Sequence, residues 1–196
     1  MSFSIVFATG NSNKVREVLE LLHAGIEIVS LKEIGCEEDI PETQPTIEGN
    51  ALQKALYVKE HYQRDCFAED TGLEIHALGG EPGIYSARYA GEAKDSEANM
   101  AKVLTKLADK SDRSAQFRTV VALTLNGATH TFEGICKGTI ATAKQGTDGF
   151  GYDPIFIPEG YNISFAEMSA AEKNKISHRG KAIRQLIAFL NQQGSL

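Results

Sequence analysis

A chain of 196 residues with 42% hydrophobic and 23% charged side chains has the make-up of one globular domain, or one domain in two lobes. It can bury a core without disulfide support. Its formal charge of -6 argues against a nucleic-acid surface, which needs clustered Lys and Arg, and no stretch approaches the roughly 20 apolar residues of a membrane span. Cys36, Cys66 and Cys136 lack zinc or redox spacing and read as thiols of a reducing compartment. With no basic and apolar leader at the N-terminus, the expected location is the cytoplasm.

Ser4 to Ala8 (SIVFA) reads as a short buried strand running into TGNSNK at 9–14. A helix follows, with Val15, Val18, Leu19 and Leu22 at helical spacing and the Asn/Ser cluster as its cap. IEIVSL at 26–31 reads as a second strand, so the chain opens with a parallel pair and a right-handed crossover. Residues 32–46 are loop-like and acidic, broken by Pro41 and Pro45. A helix is predicted over 47–62, where Asn50 and Lys54 share a face. Cys66 to Ala68 reads as a buried strand ending at Glu69-Asp70, and 79–91 as a glycine-rich loop.

Asp95 or Ser96 can cap a helix whose apolar stripe is Met100, Val103, Leu104 and Leu107. Residues 115–125 and 129–143 read as two long strands joined at Asn126-Gly127, a strong hairpin signal. A last short strand is expected near Pro154 to Ile157, then a final helix carrying Ile183, Leu186, Ile187 and Leu190 on one face. Crossovers mixed with a hairpin predict an α/β fold, a mixed and strongly twisted sheet flanked by helices.

Several segments carry candidate chemistry. TGNSNK lies between a strand end and a helix start, where free N–H groups and the helix dipole favour an anion; Thr9, Asn11 and Lys14 add donors, and an ordinary helix cap is the other reading. Neither a Walker A loop nor GxGxxG occurs. In Glu69-Asp70-Thr71-Gly72 the two acids point to opposite faces of a continuing strand, and Asp70 is the better candidate to hold magnesium or accept a proton. A solvated acidic turn is the alternative. Glu42 lies in irregular chain and could supply a second metal carboxylate, whereas Glu48 in a helix's first turn has a sufficient electrostatic explanation.

GGEPGIYSARYAG at 79–91 reads as structure or a subunit contact rather than chemistry. In GFGYDP at 149–154, Phe150 between glycines could stack on a purine, and Asp153 could accept from base or sugar; a buried turn aromatic is the alternative. Lys173, Lys175, His178, Arg179 and Lys181 form the most basic stretch, either a solvated helix start or a ligand-binding tail. His23, His61, His76 and His130 are scattered and carry no role.

Taken in order, TGNSNK, PET at 41–43, GNALQKA at 49–55, AEDTGL, GGEPGIYSARYAG, GFGYDP and ISHRGKA resemble the inosine/xanthosine triphosphate pyrophosphatase family from residue 5 to about 190. The resemblance implies magnesium-dependent hydrolysis of ITP, dITP and XTP to the monophosphate and pyrophosphate. It also implies an elongated two-lobed single domain over 1–196, a central cleft and a homodimer. By position, Asp70 looks like the general base and a metal ligand, and Glu42 like the second metal carboxylate. Thr9, Gly10, Asn11, Lys14, Lys54 and Thr71 look like triphosphate contacts. Phe150, Gly151, Tyr152, Asp153, Lys173, His178 and Arg179 look like the nucleoside pocket.

The chain departs from the family's common pattern at Glu69 and Thr71, often aspartate and serine, and at Gly49, often glutamate. A pyrophosphatase for other modified nucleotides, or a nucleotide sensor without turnover, are the alternative functions.

Overall fold

The computed structural model describes residues 3–22 and 25–192; His23 lies outside them. The chain runs β1 (Phe3–Phe7), α1 (Ser12–Leu21), β2 (Ile26–Ser30), α2 (Ile47–Tyr62), β3 (Cys66–Ile75), β4 (Pro82–Gly83), α3 (Ser96–Lys106), β5 (Ser114–Leu125), β6 (Ala128–Ile140), β7 (Phe156–Pro158), α4 (Ala170–Ile176) and α5 (His178–Gln192). Among the described residues the strands form one seven-stranded sheet in the order β2-β1-β3-β5-β6-β7, with β4 on β3.

The sheet is mixed. β1 pairs in parallel with β2 and β3, from Phe3 opposite Ile26 and from Val6 opposite Cys66, whereas β3/β4 and β6/β7 are antiparallel. A strand that must cross to a parallel neighbour needs an intervening helix, which α1 supplies. The Asn126-Gly127 turn has both residues at positive φ, 51° and 82°, the primed turn that matches strand twist.

Two compact units divide the chain. One holds residues 1–70, 119–134 and 179–196; the other holds 71–118 and 135–178. Each has its own core. In the first, Ile5, Phe7 and Phe67 pack with Val18 of α1 and with Ala182, Ile183, Leu186 and Leu190 of α5, the Phe7 and Phe67 rings stacked at 4.4 Å. In the second, Met100 and Val103 of α3 and Leu107 just after it join Leu73, Phe117, Phe156 and Phe165.

Three elements differ from expectation. β3 does not stop at the acidic pair but continues to Ile75. β6 ends at Ile140. The expected final helix, α5, is preceded by a short unexpected one, α4, from which Ser177 with its ψ of 155° separates it. Of the two expected caps, Asp95 and Ser96, it is Asp95 that caps α3, through Glu97 N–H (2.8 Å) and Ala98 N–H (3.3 Å). Among the described residues no helix is long and apolar enough to cross a membrane.

Candidate active site

The first unit brings TGNSNK, the Glu42 loop, α2 and the acidic pair into one charged cluster. Alternation along β3 sends Glu69 and Asp70 to opposite faces. The Asp70 face meets α2. Asn50 Nδ2 donates to Asp70 Oδ2 at 3.3 Å, and Lys54 Nζ lies 3.8 Å from Asp70 Oδ1 while also donating to Glu42. Small residues, Ala51 and Ala55, let α2 approach the sheet closely enough for this.

Asp70 is 9% exposed. Burial pushes its carboxyl above the usual aspartate range, and the charges of Lys54 and Lys14 counter that only in part. A solvated acidic turn is therefore excluded at Asp70. A carboxylate whose proton affinity is raised in this way can take a proton from water near neutral pH more readily than an exposed one.

Glu69, on the other face, is fully buried. Both its oxygens accept from Arg179 Nε, at 2.8 and 2.9 Å, and Lys14 Nζ lies 3.5 Å away. Burial opposes its charge, but Arg179 and Lys14 outweigh burial and hold its pKa below the ordinary range. Arg179 also donates to Glu17 at 2.5 Å. The guanidinium is thus bound to two carboxylates inside the first unit, Nε shared between both oxygens of Glu69 and Nη1 donating to Glu17. Desolvation lowers the Lys14 pKa, with Glu69 opposing.

In TGNSNK the Asn11 side chain accepts from Asn13 N–H (3.0 Å) and Lys14 N–H (3.3 Å), and Thr9 Oγ1 accepts from Asn11 N–H (3.1 Å). The capping reading thus accounts for the Asn11 side-chain oxygen. Gly10 has open space around its Cα.

In the second unit, GFGYDP and α4 form a compact group. Asp153 Oδ2 accepts from Phe150 N–H at 2.8 Å and from Lys173 Nζ at 2.6 Å. Lys173 Nζ stands 5.0 Å from the Phe150 ring centroid, within cation–π range. Gly149, at φ 78°, is required here: a Cβ would sit 2.2 Å from Asp153 Oδ2. Gly151 is also left-handed, at φ 62°. Tyr152 is buried, donating to the Ser86 carbonyl at 2.7 Å; this ties the loop to the central glycine-rich segment.

The His178 ring stacks on Phe117 at 4.5 Å. Thr71 is half-buried on β3. Lys173, His178 and Arg179 are all buried, so a solvated basic helix start does not describe them.

The central loop is pinned to α3. Asn99 donates to the Ala87 carbonyl (3.0 Å) and accepts from Ala90 N–H (2.6 Å), and Tyr89 donates to Glu81 (2.6 Å). Tyr85 remains 55% exposed. Sequence reasoning did not single out Asn99, Glu17 or Gln53. It flagged Asn50 only through its four-residue spacing from Lys54.

Comparison with known proteins gives the family of the chain. A model of the Ham1 family matches residues 5–189. The chain is 56% identical over 188 residues to the dITP/XTP pyrophosphatase of Christiangramia forsetii, covering 96% of this chain and 99% of that one. It is 57% identical over 185 residues to the protein of the same name from Flavobacterium psychrophilum, covering 94% and 97%. Among solved structures, the Staphylococcus aureus Ham1 protein superposes with a TM-score of 0.89 at 40% identity, over 97% of this chain and 99% of that one. On the family match and these identities, the chain belongs to the Ham1 family.

Proposed function

We propose that this protein hydrolyses the non-standard purine nucleoside triphosphates dITP, XTP and ITP to the monophosphate and pyrophosphate. The observation that carries the reading is the buried Asp70 carboxylate, with raised proton affinity, set between Asn50 and Lys54 beside Glu42. The relatives' names supply the substrate class.

Asp70 accepts the proton of a water whose oxygen attacks the α-phosphorus. The bond from α-phosphorus to the αβ-bridging oxygen breaks, and pyrophosphate carries away that electron pair. Lys14 and Lys54 neutralise phosphate charge that grows in the transition state. Thr9, Gly10, Asn11 and Thr71 are further triphosphate contacts in this reading.

The donor set fits a magnesium ion, which uses one or two carboxylates together with substrate phosphates. Lys54 supports the fit, since its ammonium pairs with both Glu42 and Asp70, so the two carboxylates face a common positive charge. Those two residues would hold the ion. When bound, it would supply positive charge to the triphosphate.

Phe150 to Asp153, Lys173 and His178 serve the base. The 6-keto oxygen of hypoxanthine or xanthine accepts a hydrogen bond from Lys173, whereas the 6-amino group of adenine leaves that donor unmatched; such mismatches reach about 10⁴-fold. Arg179 acts through Glu69 and Glu17 rather than from an open pocket. We place the protein in the cytoplasm, in keeping with three buried thiols. We further propose a homodimer whose contact includes the central loop and Tyr85.

Pyrophosphate release from ITP, dITP, XTP, GTP and ATP, each with and without EDTA, tests the proposal. Release from the first three in magnesium, abolished by EDTA, is expected. Equal rates on ATP and ITP refute the pocket assignment, and tight ITP binding without release marks a sensor instead.

A further inference from the structure

We propose that Asn50 and Gln53 are positioning residues whose side-chain amides seat the Glu42 loop on α2 and thereby fix the Glu42 carboxylate relative to Asp70. This rests on the reading of Glu42 and Asp70 as the metal-holding pair.

Glu42 belongs to neither helix nor strand. Holding a carboxylate still on irregular backbone costs conformational entropy, and something must oppose that cost. The two residues after Glu42 are both gripped. Thr43 N–H donates to Gln53 Oε1 at 2.9 Å, and Gln53 Nε2 donates back to Thr43 Oγ1 at 2.9 Å. Gln44 N–H donates to Asn50 Oδ1 at 2.9 Å, while the other end of that amide donates to Asp70.

Residues 50, 53 and 54 lie three and four apart, so one helical face carries every contact. It holds Thr43, Gln44, Glu42 through Lys54, and Asp70. Amides suit the task because they donate and accept at once without adding charge beside two carboxylates. A carboxylate at position 50 would keep the acceptor, lose the donor and repel Asp70.

Gly49 gives independent support for close seating. A Cβ there would stand 2.7 Å from Gln44 Cβ and 2.9 Å from Thr46 Oγ1, so the loop lies directly on the first turn of α2. Further back, Glu38 accepts from Tyr57 (2.9 Å) and Tyr62 (2.6 Å), anchoring the loop's other end on the same helix.

The test uses the full-length protein and Gln53→Met, which keeps side-chain length but removes the fork, with Asn50→Ala as the second variant. Three readouts are taken: amide exchange at Thr43 and Gln44 by NMR, direct Mn²⁺ binding in the presence of a non-hydrolysable ITP analogue, and the magnesium dependence of pyrophosphate release. Thr43 exchange in Gln53→Met should quicken at least about tenfold. In Gln53→Met, metal affinity should fall about 10–100-fold, as for lost outer-shell partners, with kcat at saturating magnesium within about twofold of wild type. Asn50→Ala, which also loses the contact to Asp70, is read by Gln44 exchange and metal affinity alone.

Unchanged Thr43 exchange overturns the proposal. So does Mn²⁺ affinity within about twofold of wild type while wild type itself binds the ion and turns over, a result that leaves the proposed function intact. Wild type that neither binds Mn²⁺ nor releases pyrophosphate overturns both. Gly49→Ala, which pushes the loop outward without touching either amide, should reproduce the affinity loss.

Discussion

Replacing Arg179 with alanine removes the centre of the buried network Glu17–Arg179–Glu69–Lys14. The guanidinium is 2% exposed and Glu69 fully buried, and three hydrogen bonds of 2.5–2.9 Å leave with it. Lys14 at 3.5 Å is then the nearest cation to Glu69. Breaking a buried pair by removing one partner costs about 3–5 kcal/mol. For a chain of this size each kcal/mol shifts Tm by roughly 2–4 °C, so a fall of about 6–20 °C is expected.

The pH dependence carries a further signature. In the wild type, Glu69 titrates below its ordinary range, so it adds stability above the unfolded pKa and loses it as pH falls through the folded value. Without Arg179, burial dominates and the sign reverses: protonating Glu69 relieves the variant as pH falls. The Tm gap should therefore narrow from pH 7 toward pH 5 in calorimetric scans, and Arg179→Ala with Glu69→Gln should recover much of the loss at pH 7. A Tm drop under about 2 °C, or a gap independent of pH, refutes the reasoning.

Asp70→Asn should lower kcat on ITP by about 10²–10⁴-fold in steady-state assays. Its Tm at pH 7 should hold or rise, because burial makes the native carboxylate unfavourable there. A wild-type Asp70 with raised proton affinity must be ionised to act, so kcat/KM at low magnesium should fall as pH drops through that raised value. An acid limb in the ordinary aspartate range contradicts this. Gly149→Ala meets both a positive φ and Asp153 Oδ2 at 2.2 Å, so about 1–3 kcal/mol of stability should be lost in denaturant titration. Lys173→Met should raise KM for ITP far more than for ATP, narrowing the ratio of their kcat/KM values.

The fold was legible where local rules act alone. The N-cap at Asp95, the Asn126-Gly127 turn and the helix over 47–62 follow from residues adjacent in the chain. The acidic pair was harder. Glu69 and Asp70 look like the end of a strand because two acids rarely lie inside one, and β3 continues through them only because Arg179, Lys14, Lys54 and Asn50 arrive from elsewhere in the chain.

For the same reason the basic run at 173–179 gave no sign that its members diverge. Lys173 goes to Asp153, His178 to an aromatic stack and Arg179 to two glutamates. Gln53 was invisible because its partner, Thr43, is a backbone and hydroxyl contact with no sequence signature.

The central claim is that water attacks the α-phosphorus beside Asp70. Turnover of ITP in ¹⁸O-enriched water, with mass analysis of both products, tests it most directly. The account requires one ¹⁸O atom in the inosine monophosphate and none in the pyrophosphate. Label in the pyrophosphate, or stepwise release of inorganic phosphate, would contradict it.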